Sequence, residues 1–300
     1  IPAQTITICS GEAINFAPNN NPPSSIIPSG ITYSWSTPVS NPAGIILGGT
    51  SGTNESSINE PLGITNTSNT TATLTYQVIG NIASGGTCVS NTFNLTVTVL
   101  PKATIPDQTT SICSQTAMTF TPSNGGNTII PTGTTYTWTN QNLPLSVTGS
   151  SAGNNQTSIT GNHTNLDFNN QHVYYTVTPS SGPNNICVGS NFILDITLKP
   201  KPKVPNQTDT ICSAETFSIA PVNNDTTIIP STTSYSWNLP TLNPFNSISG
   251  TSIQTNQSLI SQQLSNLTDA TATATYTVTP TASNGCVGPT FSVNIVVGAK

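Results

Sequence analysis

The sequence repeats itself three times, and this repetition limits the possible architectures more than any other feature. Related stretches surround a first cysteine (ITICSGEAINFAP, TSICSQTAMTFTP and DTICSAETFSIAP) and a second cysteine (CVSNTFNLTVTV, CVGSNFILDITL and CVGPTFSVNIVV). Cysteines of each kind recur at intervals of about 100 residues. We therefore predict three domains, namely repeat 1 (residues 1–100), repeat 2 (residues 101–200) and repeat 3 (residues 201–300), with no room for a domain of another kind.

Each repeat has the pattern of a β-sandwich. Short runs such as FNLTVTV and FSVNIVV alternate apolar and polar residues, are rich in Val, Ile and Thr, and are separated by Gly, Pro and Asn. Such runs predict strands, and about 100 residues suit one immunoglobulin-like sandwich. We predict an all-β protein of three tandem immunoglobulin-like β-sandwich domains.

Charge is scarce and unevenly placed. Charged residues make up 5% of the chain, against about 25% in ordinary soluble domains. There is no arginine and no basic patch, which excludes the electrostatic basis of nucleic-acid binding.

No apolar run approaches the roughly 20 residues of a membrane-spanning helix. The chain begins at Ile1 without a signal peptide, so we expect a mature segment of a longer protein.

The few basic residues lie at the repeat boundaries. The segments LPKATIP (residues 100–106, linker 1) and KPKPKVP (residues 199–205, linker 2) contain four of the five lysines, and Lys300 ends the chain. Their prolines predict semi-rigid polyproline II spacers. In one interpretation the lysines are solvated and keep neighbouring domains apart. In the other they contact an acidic neighbour or an anionic polysaccharide.

Two cysteines in each repeat predict one disulfide in each repeat. The expected pairs are Cys9 with Cys88, Cys113 with Cys187, and Cys212 with Cys286. Paired cysteines indicate an oxidising, extracellular setting. We expect each bridge to join the start of a domain to the start of its last strand, near one end. No metal or other cofactor is predicted, because two cysteines without a repeated histidine leave zinc short of ligands.

Large aromatic residues recur in register with the cysteines. The predicted core residues are Trp35, Trp138, Trp237, Tyr76, Tyr175 and Tyr276. The alternative for the tryptophans is a surface platform that stacks on sugars.

No catalytic constellation repeats with the domains, so we do not expect an enzyme. Both histidines, His163 and His172, lie in repeat 2 and are predicted to be exposed. Glu55 and Glu60 form the only close carboxylate pair, in a segment predicted to be a loop of repeat 1.

The recurring pattern C-x-G, Y-x-W, YTVTP, C-x-G-x-x-F-x-V-x-V and P-x-P resembles the PKD-like, immunoglobulin-like repeats of Bacteroidota surface proteins. Those repeats occur in large secreted adhesins, including proteins of gliding motility and type IX secretion. The resemblance implies a cell-surface stalk or filament. It also implies O-glycans at Asp-Thr-aliphatic or Asp-Thr-Thr sites, which here are Thr210 in DTI and Thr226 in DTT.

We therefore expect a secreted, non-catalytic stalk segment of a cell-surface adhesin, whose own ligand the sequence does not identify. The alternative is a set of carbohydrate-binding or spacer modules attached to an extracellular enzyme. The expected partners are neighbouring repeats of the same long chain, other chains in a filament, and surface polysaccharide, with no nucleic acid and no membrane span.

Overall fold

The computed structural model describes residues 1–82, 88–140, 143–149 and 152–299. Within these ranges there is no α-helix, and the only helical turn is a 3-10 turn at Pro183–Asn185. The remaining regular structure is β, arranged as three sandwiches in series. The predicted all-β fold is confirmed.

The described residues of repeat 1 form β1 (Gln4–Cys9), β2 (Glu12–Phe16), β3 (Thr32–Trp35), β4 (Val39–Asn41), β5 (Ile46–Leu47), β6 (Gly52–Glu55), β7 (Ile58–Asn66), β8 (Ala72–Ile82), β9 (Cys88–Val89) and β10 (Phe93–Leu100).

Repeat 2 follows with β11 (Gln108–Cys113), β12 (Met118–Phe120), β13 (Thr135–Asn140), β14 (Val147–Thr148), β15 (Gly153–Gln156), β16 (Ile159–Gly161), β17 (Thr164–Asn165), β18 (Gln171–Ser181), β19 (Cys187–Val188) and β20 (Phe192–Lys199).

Repeat 3 contains β21 (Gln207–Ile211), β22 (Glu215–Ile219), β23 (Ser234–Trp237), β24 (Thr241–Asn243), β25 (Ile248–Ser249), β26 (Gln254–Gln257), β27 (Ile260–Asn266), β28 (Ala272–Thr281) and β29 (Phe291–Val297).

Each sandwich has one large and one small layer. In repeat 1 the large sheet has the order β1-β10-β8-β3-β6, with β4 and β9 also paired to β8, and the small sheet is β2-β7-β5. Repeat 3 repeats this order with β21-β29-β28-β23-β26 and β22-β27-β25. In repeat 2 the small layer consists of two strand pairs, β12-β16 and β14-β17.

The first and last strands of each repeat run parallel. In repeat 1 they pair from Gln4 opposite Leu95 to Cys9 opposite Leu100, and β11 with β20 and β21 with β29 repeat this register. Because the two strands are parallel, the start of the first and the end of the last lie at opposite ends of the sheet. The chain thus enters each repeat at one end, here called the N-terminal end, and leaves at the other, the C-terminal end.

Alternate residues of the long strands fill the three cores. Strand β8 has the burial pattern expected for one face turned inward, and Tyr76 at its centre is fully buried. Trp35 lies 6% exposed against Gly52, where a Cβ atom would overlap the indole ring. Trp138 packs on Gly153 in the same way. The tryptophans are therefore core residues, and the sugar-stacking alternative for them is wrong.

Candidate functional site: the junctions between repeats

The disulfides join successive repeats. Cys9 bonds to Cys187, 178 residues further on, and Cys113 bonds to Cys286, 173 residues further on. Their Cα atoms are 5.5 and 5.7 Å apart. In both bonds the first cysteine of one repeat meets the second cysteine of the next. The prediction of a disulfide within each repeat is therefore wrong.

The parallel direction of the first and last strands explains why the predicted disulfide pairing is wrong. Cys9 ends β1 beside Leu100, at the C-terminal end of repeat 1, because β1 is parallel to β10. Cys88 lies on β9 opposite Ile82, just before β10 begins, and so at the N-terminal end. An eight-residue strand such as β10 spans about 25 Å, whereas bridged cysteines have Cα atoms less than about 7 Å apart. The two cysteines of one repeat cannot reach each other.

Cys88 and Cys212 are exposed free thiols. Cys88 is the second cysteine of repeat 1, and Cys212 is the first cysteine of repeat 3. Among the described residues they are the two cysteines without a disulfide partner.

Linker 1 is packed against repeat 2. Pro101, Ala103 and Ile105 are buried and the residues between them face outward, so the segment alternates like a strand. Thr104 exchanges two backbone hydrogen bonds with Ile129, from Thr104 N–H at 2.9 Å and from Ile129 N–H at 2.8 Å. The segment predicted to be a semi-rigid polyproline II spacer is thus an added element of the following sandwich.

Linker 2 makes the equivalent contacts with repeat 3. Lys203 exchanges two hydrogen bonds with Ile228, both 2.8 Å long. Asn284 Nδ2 donates to the carbonyl of Pro200 at 3.2 Å. At the first junction the buried Ser181 Oγ donates to the carbonyl of Pro101 at 2.8 Å. Each linker is therefore held by hydrogen bonds on both sides of its central residue.

A glycine lets each linker approach the sheet closely. A Cβ atom at Gly189 would overlap the carbonyl of Ala103, and one at Gly288 would overlap the carbonyl of Pro202. Repeat 1 has Ser90 at this position. Its hydroxyl accepts a 2.8 Å hydrogen bond from Gly80 N–H, at a place where repeats 2 and 3 have a proline without an N–H.

In the described part of the chain, no carboxylate lies within 4 Å of a linker lysine. Among the described residues, the one ion pair within 4 Å is that of His172 with Asp195. Lys102, Lys199 and Lys201 are half-buried and Lys203 is exposed. Lys300 lies outside the described residues.

Each core holds a polar partner for its buried tyrosine. Tyr76 Oη donates to Glu60 Oε1 at 3.1 Å, and Tyr276 Oη donates to Gln262 Oε1 at 2.7 Å. Burial, and after it the neighbouring carboxylate of Glu60, raise the pKa of Tyr76. Glu60 also accepts from Thr50 N–H at 2.7 Å and lies 5% exposed on β7. The predicted loop position of Glu60 is wrong; Glu55 is exposed and ends β6.

His163 takes the same role in repeat 2. Its Nε2 lies 2.6 Å from Tyr175 Oη and its Nδ1 lies 3.1 Å from the carbonyl of Gly149. The prediction that it is exposed is wrong, since it is 1% exposed, and burial lowers its pKa. His172, by contrast, lies on the surface, where its Nδ1 is 2.8 Å from Asp195 Oδ1.

These polar centres are sealed from solvent and separate from one another. No group of three His, Cys, Asp or Glu side chains suited to a metal occurs in the described ranges. The functionally distinctive region is therefore the set of junctions. Sequence reasoning missed the alternation of buried residues in LPKATIP and KPKPKVP, which is itself a strand signal.

A family model, described as a PKD-like domain, matches the sequence three times, over residues 6–103, 110–202 and 209–300. The chain belongs to the PKD-like domain family. Each repeat is one PKD-like unit, and the junctions described above lie between successive units.

Several solved structures align with nearly the whole chain at low sequence identity. An I-band fragment of titin, I67–I69, is 9% identical, covers 100% of this chain and 96% of its own, and has a TM-score of 0.38. Mouse cadherin-23 EC22–24 is 12% identical, with 99% and 96% coverage and a TM-score of 0.28. An endo-fucoidan hydrolase of glycoside hydrolase family 107 is 11% identical, with 99% and 43% coverage and a TM-score of 0.27.

No curated protein sequence matches the chain. Within the described ranges, no helix has the length and apolar character of a membrane span.

Proposed function

We propose that the chain is a non-catalytic, load-bearing stalk segment of a large secreted adhesin, in which PKD-like units hold a binding region away from the bacterial surface. The resemblance to repeats of Bacteroidota adhesins, including those of gliding motility and type IX secretion, supports this setting. The two disulfides support an extracellular location, because such bonds persist in oxidising environments.

The observation that carries the proposal is the covalent connection of each unit to the next by two routes. One route is the linker and the other is the disulfide, Cys9–Cys187 at the first junction and Cys113–Cys286 at the second. Two connections, together with the buried linker, limit bending between units. A module that only carried a catalytic domain on a flexible tether would not require such a joint.

The parallel pairing of the first and last strands also suits tension. With the Cys9–Cys187 bond intact, force passes from the end of β1 directly to repeat 2; when the bond is reduced, force applied at the two ends of repeat 1 acts along β1 and β10 in opposite directions. It therefore loads all the hydrogen bonds between Gln4–Cys9 and their partners in shear at once. Bonds loaded together resist force better than bonds broken one after another.

Small-angle X-ray scattering on the oxidised protein tests the stalk. Each unit is about as long as an eleven-residue strand, roughly 35 Å. Three units in line predict a radius of gyration of about 30 Å, against about 19 Å for a compact globule of 300 residues. A value near 30 Å that is unchanged by salt supports the stalk, and a value near 19 Å contradicts it.

We also propose O-glycans at Thr210 and Thr226. Both side chains are exposed, Thr210 on β21 and Thr226 in a turn. Intact-mass measurement on protein from its source, with T210V and T226V variants, tests the assignment. Added mass that each variant reduces supports it, and an unmodified mass contradicts it.

One observation favours the alternative function, carbohydrate binding beside an extracellular enzyme. An open groove at the second junction is lined by Leu166, Asp167, Phe168, Lys203, Asn223 and Asp225. Phe168 is 47% exposed, and an aromatic face next to carboxylate and amide groups suits a sugar. Glycan-array binding that F168A abolishes would support this alternative, with F245A, at an exposed phenylalanine outside the groove, as the control.

A further inference from the structure

The outer face of the large sheet, which is turned to solvent, carries different side chains in repeat 2. On β8 and β10 and on their counterparts β28 and β29, three neighbouring outward positions hold uncharged polar residues, namely Thr73, Thr75 and Thr96 in repeat 1 and Thr273, Thr275 and Asn294 in repeat 3. Repeat 2 has His172, Tyr174 and Asp195 at these positions. Two rings and a carboxylate therefore lie where the other repeats have threonine or asparagine.

Tyr174 is the one tyrosine of the chain that reaches the surface. The other six tyrosines are at most 2% exposed, whereas Tyr174 is 42% exposed. Its hydroxyl bonds to no other described residue. The ring adds nothing to the core of repeat 2, because the neighbouring Tyr175 already fills the inward position. The ring is therefore available for contact with a ligand.

His172 and Asp195 form a polar edge beside this ring. His172 Nδ1 lies 2.8 Å from Asp195 Oδ1, and Asp195 lies directly opposite Tyr174 in the pairing of β20 with β18. The imidazole and the phenol ring are nearly parallel, at an interplanar angle of 17°, with their centroids 6.0 Å apart. Asp195 Oδ2 and His172 Nε2 bond to no other described residue. Both atoms can therefore bond to a ligand that rests on the tyrosine.

Hydroxyl groups extend this surface across a third strand. Thr109 on β11 pairs with Asp195, and Ser111 pairs with Thr197, which lies opposite His172. Thr109 and Ser111 are exposed, so the surface is open to solvent. Its two rows of side chains across three strands cover about 10 Å by roughly 7 Å. The surface is here called the Tyr174 patch and consists of Thr109, Ser111, His172, Tyr174, Asp195 and Thr197.

The chemistry of the Tyr174 patch suits a neutral sugar. An aromatic ring packs against the C–H face of a sugar, and the surrounding carboxylate, imidazole and hydroxyl groups bond to sugar hydroxyls. Asp195 would repel the carboxylate or sulfate groups of an acidic polysaccharide. The lysine on the same face of β20 is Lys199, four residues from Asp195 and about 13 Å along the strand. The charge of the patch therefore favours an uncharged ligand.

We propose that the Tyr174 patch binds a neutral polysaccharide, with the ring of Tyr174 stacked on a sugar and with Asp195 and His172 bonded to its hydroxyls. The inference goes beyond the proposed stalk, because it gives this segment a ligand of its own. It rests on the contacts within repeat 2 and not on the adhesin setting. It also differs from the alternative function, in which the sugar lies in the groove that contains Phe168.

Affinity electrophoresis of the full, oxidised chain tests the proposal. Each native gel contains a neutral polysaccharide, which is laminarin, dextran or galactomannan, or the acidic polysaccharide alginate. We expect at least one neutral polysaccharide to retard the protein and alginate to leave its mobility unchanged. Y174T introduces the residue of repeats 1 and 3 and should weaken the affinity roughly tenfold or more, because it removes the stacking ring. D195N, which introduces the residue of repeat 3, should also weaken it.

The controls separate loss of the ligand contact from loss of the fold. Both variants introduce residues that the same fold holds at the same positions elsewhere in the chain, and their thermal midpoints should match that of the parent chain. F168A should bind like the parent chain. Binding that F168A abolishes and Y174T leaves intact would overturn the proposal, and so would retardation by alginate alone or unchanged mobility in every neutral gel. Failure here leaves the stalk intact, because scattering tests it separately.

Discussion

Cys9 and Cys187 lie in different PKD-like units, 178 residues apart in sequence, yet their Cα atoms are 5.5 Å apart. Cys113 and Cys286 repeat the relationship at the next boundary. Because each bond closes a loop that contains a whole junction, the junctions are part of the covalent framework. The units therefore transmit force and orientation to one another.

The extension of the pulled molecule depends on this connectivity. With both bonds intact, the shortest covalent path from end to end follows residues 1–9, 113–187 and 286–300. These 99 residues extend to about 330 Å, against about 1,000 Å for the reduced chain. Cys9→Ser should add about 100 Å in single-molecule force spectroscopy. Cys88→Ser is the matched control and should leave the extension unchanged. A longer extension for the Cys88 variant would indicate bonds within a unit.

The junction glycine is expected to hold the linker in place. Gly189→Ala would place a Cβ atom against the Ala103 carbonyl, and overpacking of this kind costs about 1–3 kcal/mol. Hydrogen exchange at Thr104 N–H, which bonds to the Ile129 carbonyl, should accelerate roughly tenfold or more. Gly288→Ala should instead accelerate exchange in linker 2. Equal effects of both variants on both linkers would contradict a local role.

Glu60 is expected to stabilise repeat 1. Glu60→Ala leaves the Tyr76 hydroxyl and Thr50 N–H without their acceptor, at a cost of about 1–3 kcal/mol. Glu60→Gln should cost less, because Gln262 performs this role in repeat 3. Hydrogen exchange along β8 measures both effects. An equal loss of protection in the two variants would show that the acceptor oxygen is unimportant.

His163 is expected to make repeat 2 sensitive to acid. Burial lowers its pKa in the folded state below the ordinary value of about 6.5. The unfolded chain then binds the proton first, so stability falls as the pH drops below about 6.5. His163→Gln should remove this loss between about pH 7 and pH 5, measured by the thermal midpoint of repeat 2. His172→Gln, at the exposed histidine, should retain it.

Local sequence patterns were enough to predict the three units. The disulfides between the units, in contrast, could be predicted only from the relative directions of the first and last strands. The three-fold repetition and the alternation in runs such as FNLTVTV predicted three β-sandwiches. The disulfide pairing depended on whether the first strand is parallel or antiparallel to the last. Neither Cys9 nor Cys88 carries that information in its neighbouring residues.

The burial of polar side chains also could not be predicted from neighbouring residues in the sequence. His163 and Glu60 are polar residues in polar segments, TGNHTN and SSINEP, and nothing nearby marks them as buried. Each is buried where it hydrogen-bonds to a tyrosine hydroxyl on another strand of the sandwich, His163 to Tyr175 and Glu60 to Tyr76. The linkers, in contrast, could have been recognised, because Pro101, Ala103 and Ile105 alternate with polar residues.

Disulfide mapping of the unreduced protein tests the central claim most directly. Trypsin cuts the chain too rarely, because it has five lysines and no arginine. The free thiols should therefore be blocked, and the protein digested with pepsin and analysed by mass spectrometry. We predict linked peptides containing Cys9 with Cys187 and Cys113 with Cys286. Linked peptides containing Cys9 with Cys88, or Cys113 with Cys187, would contradict the account.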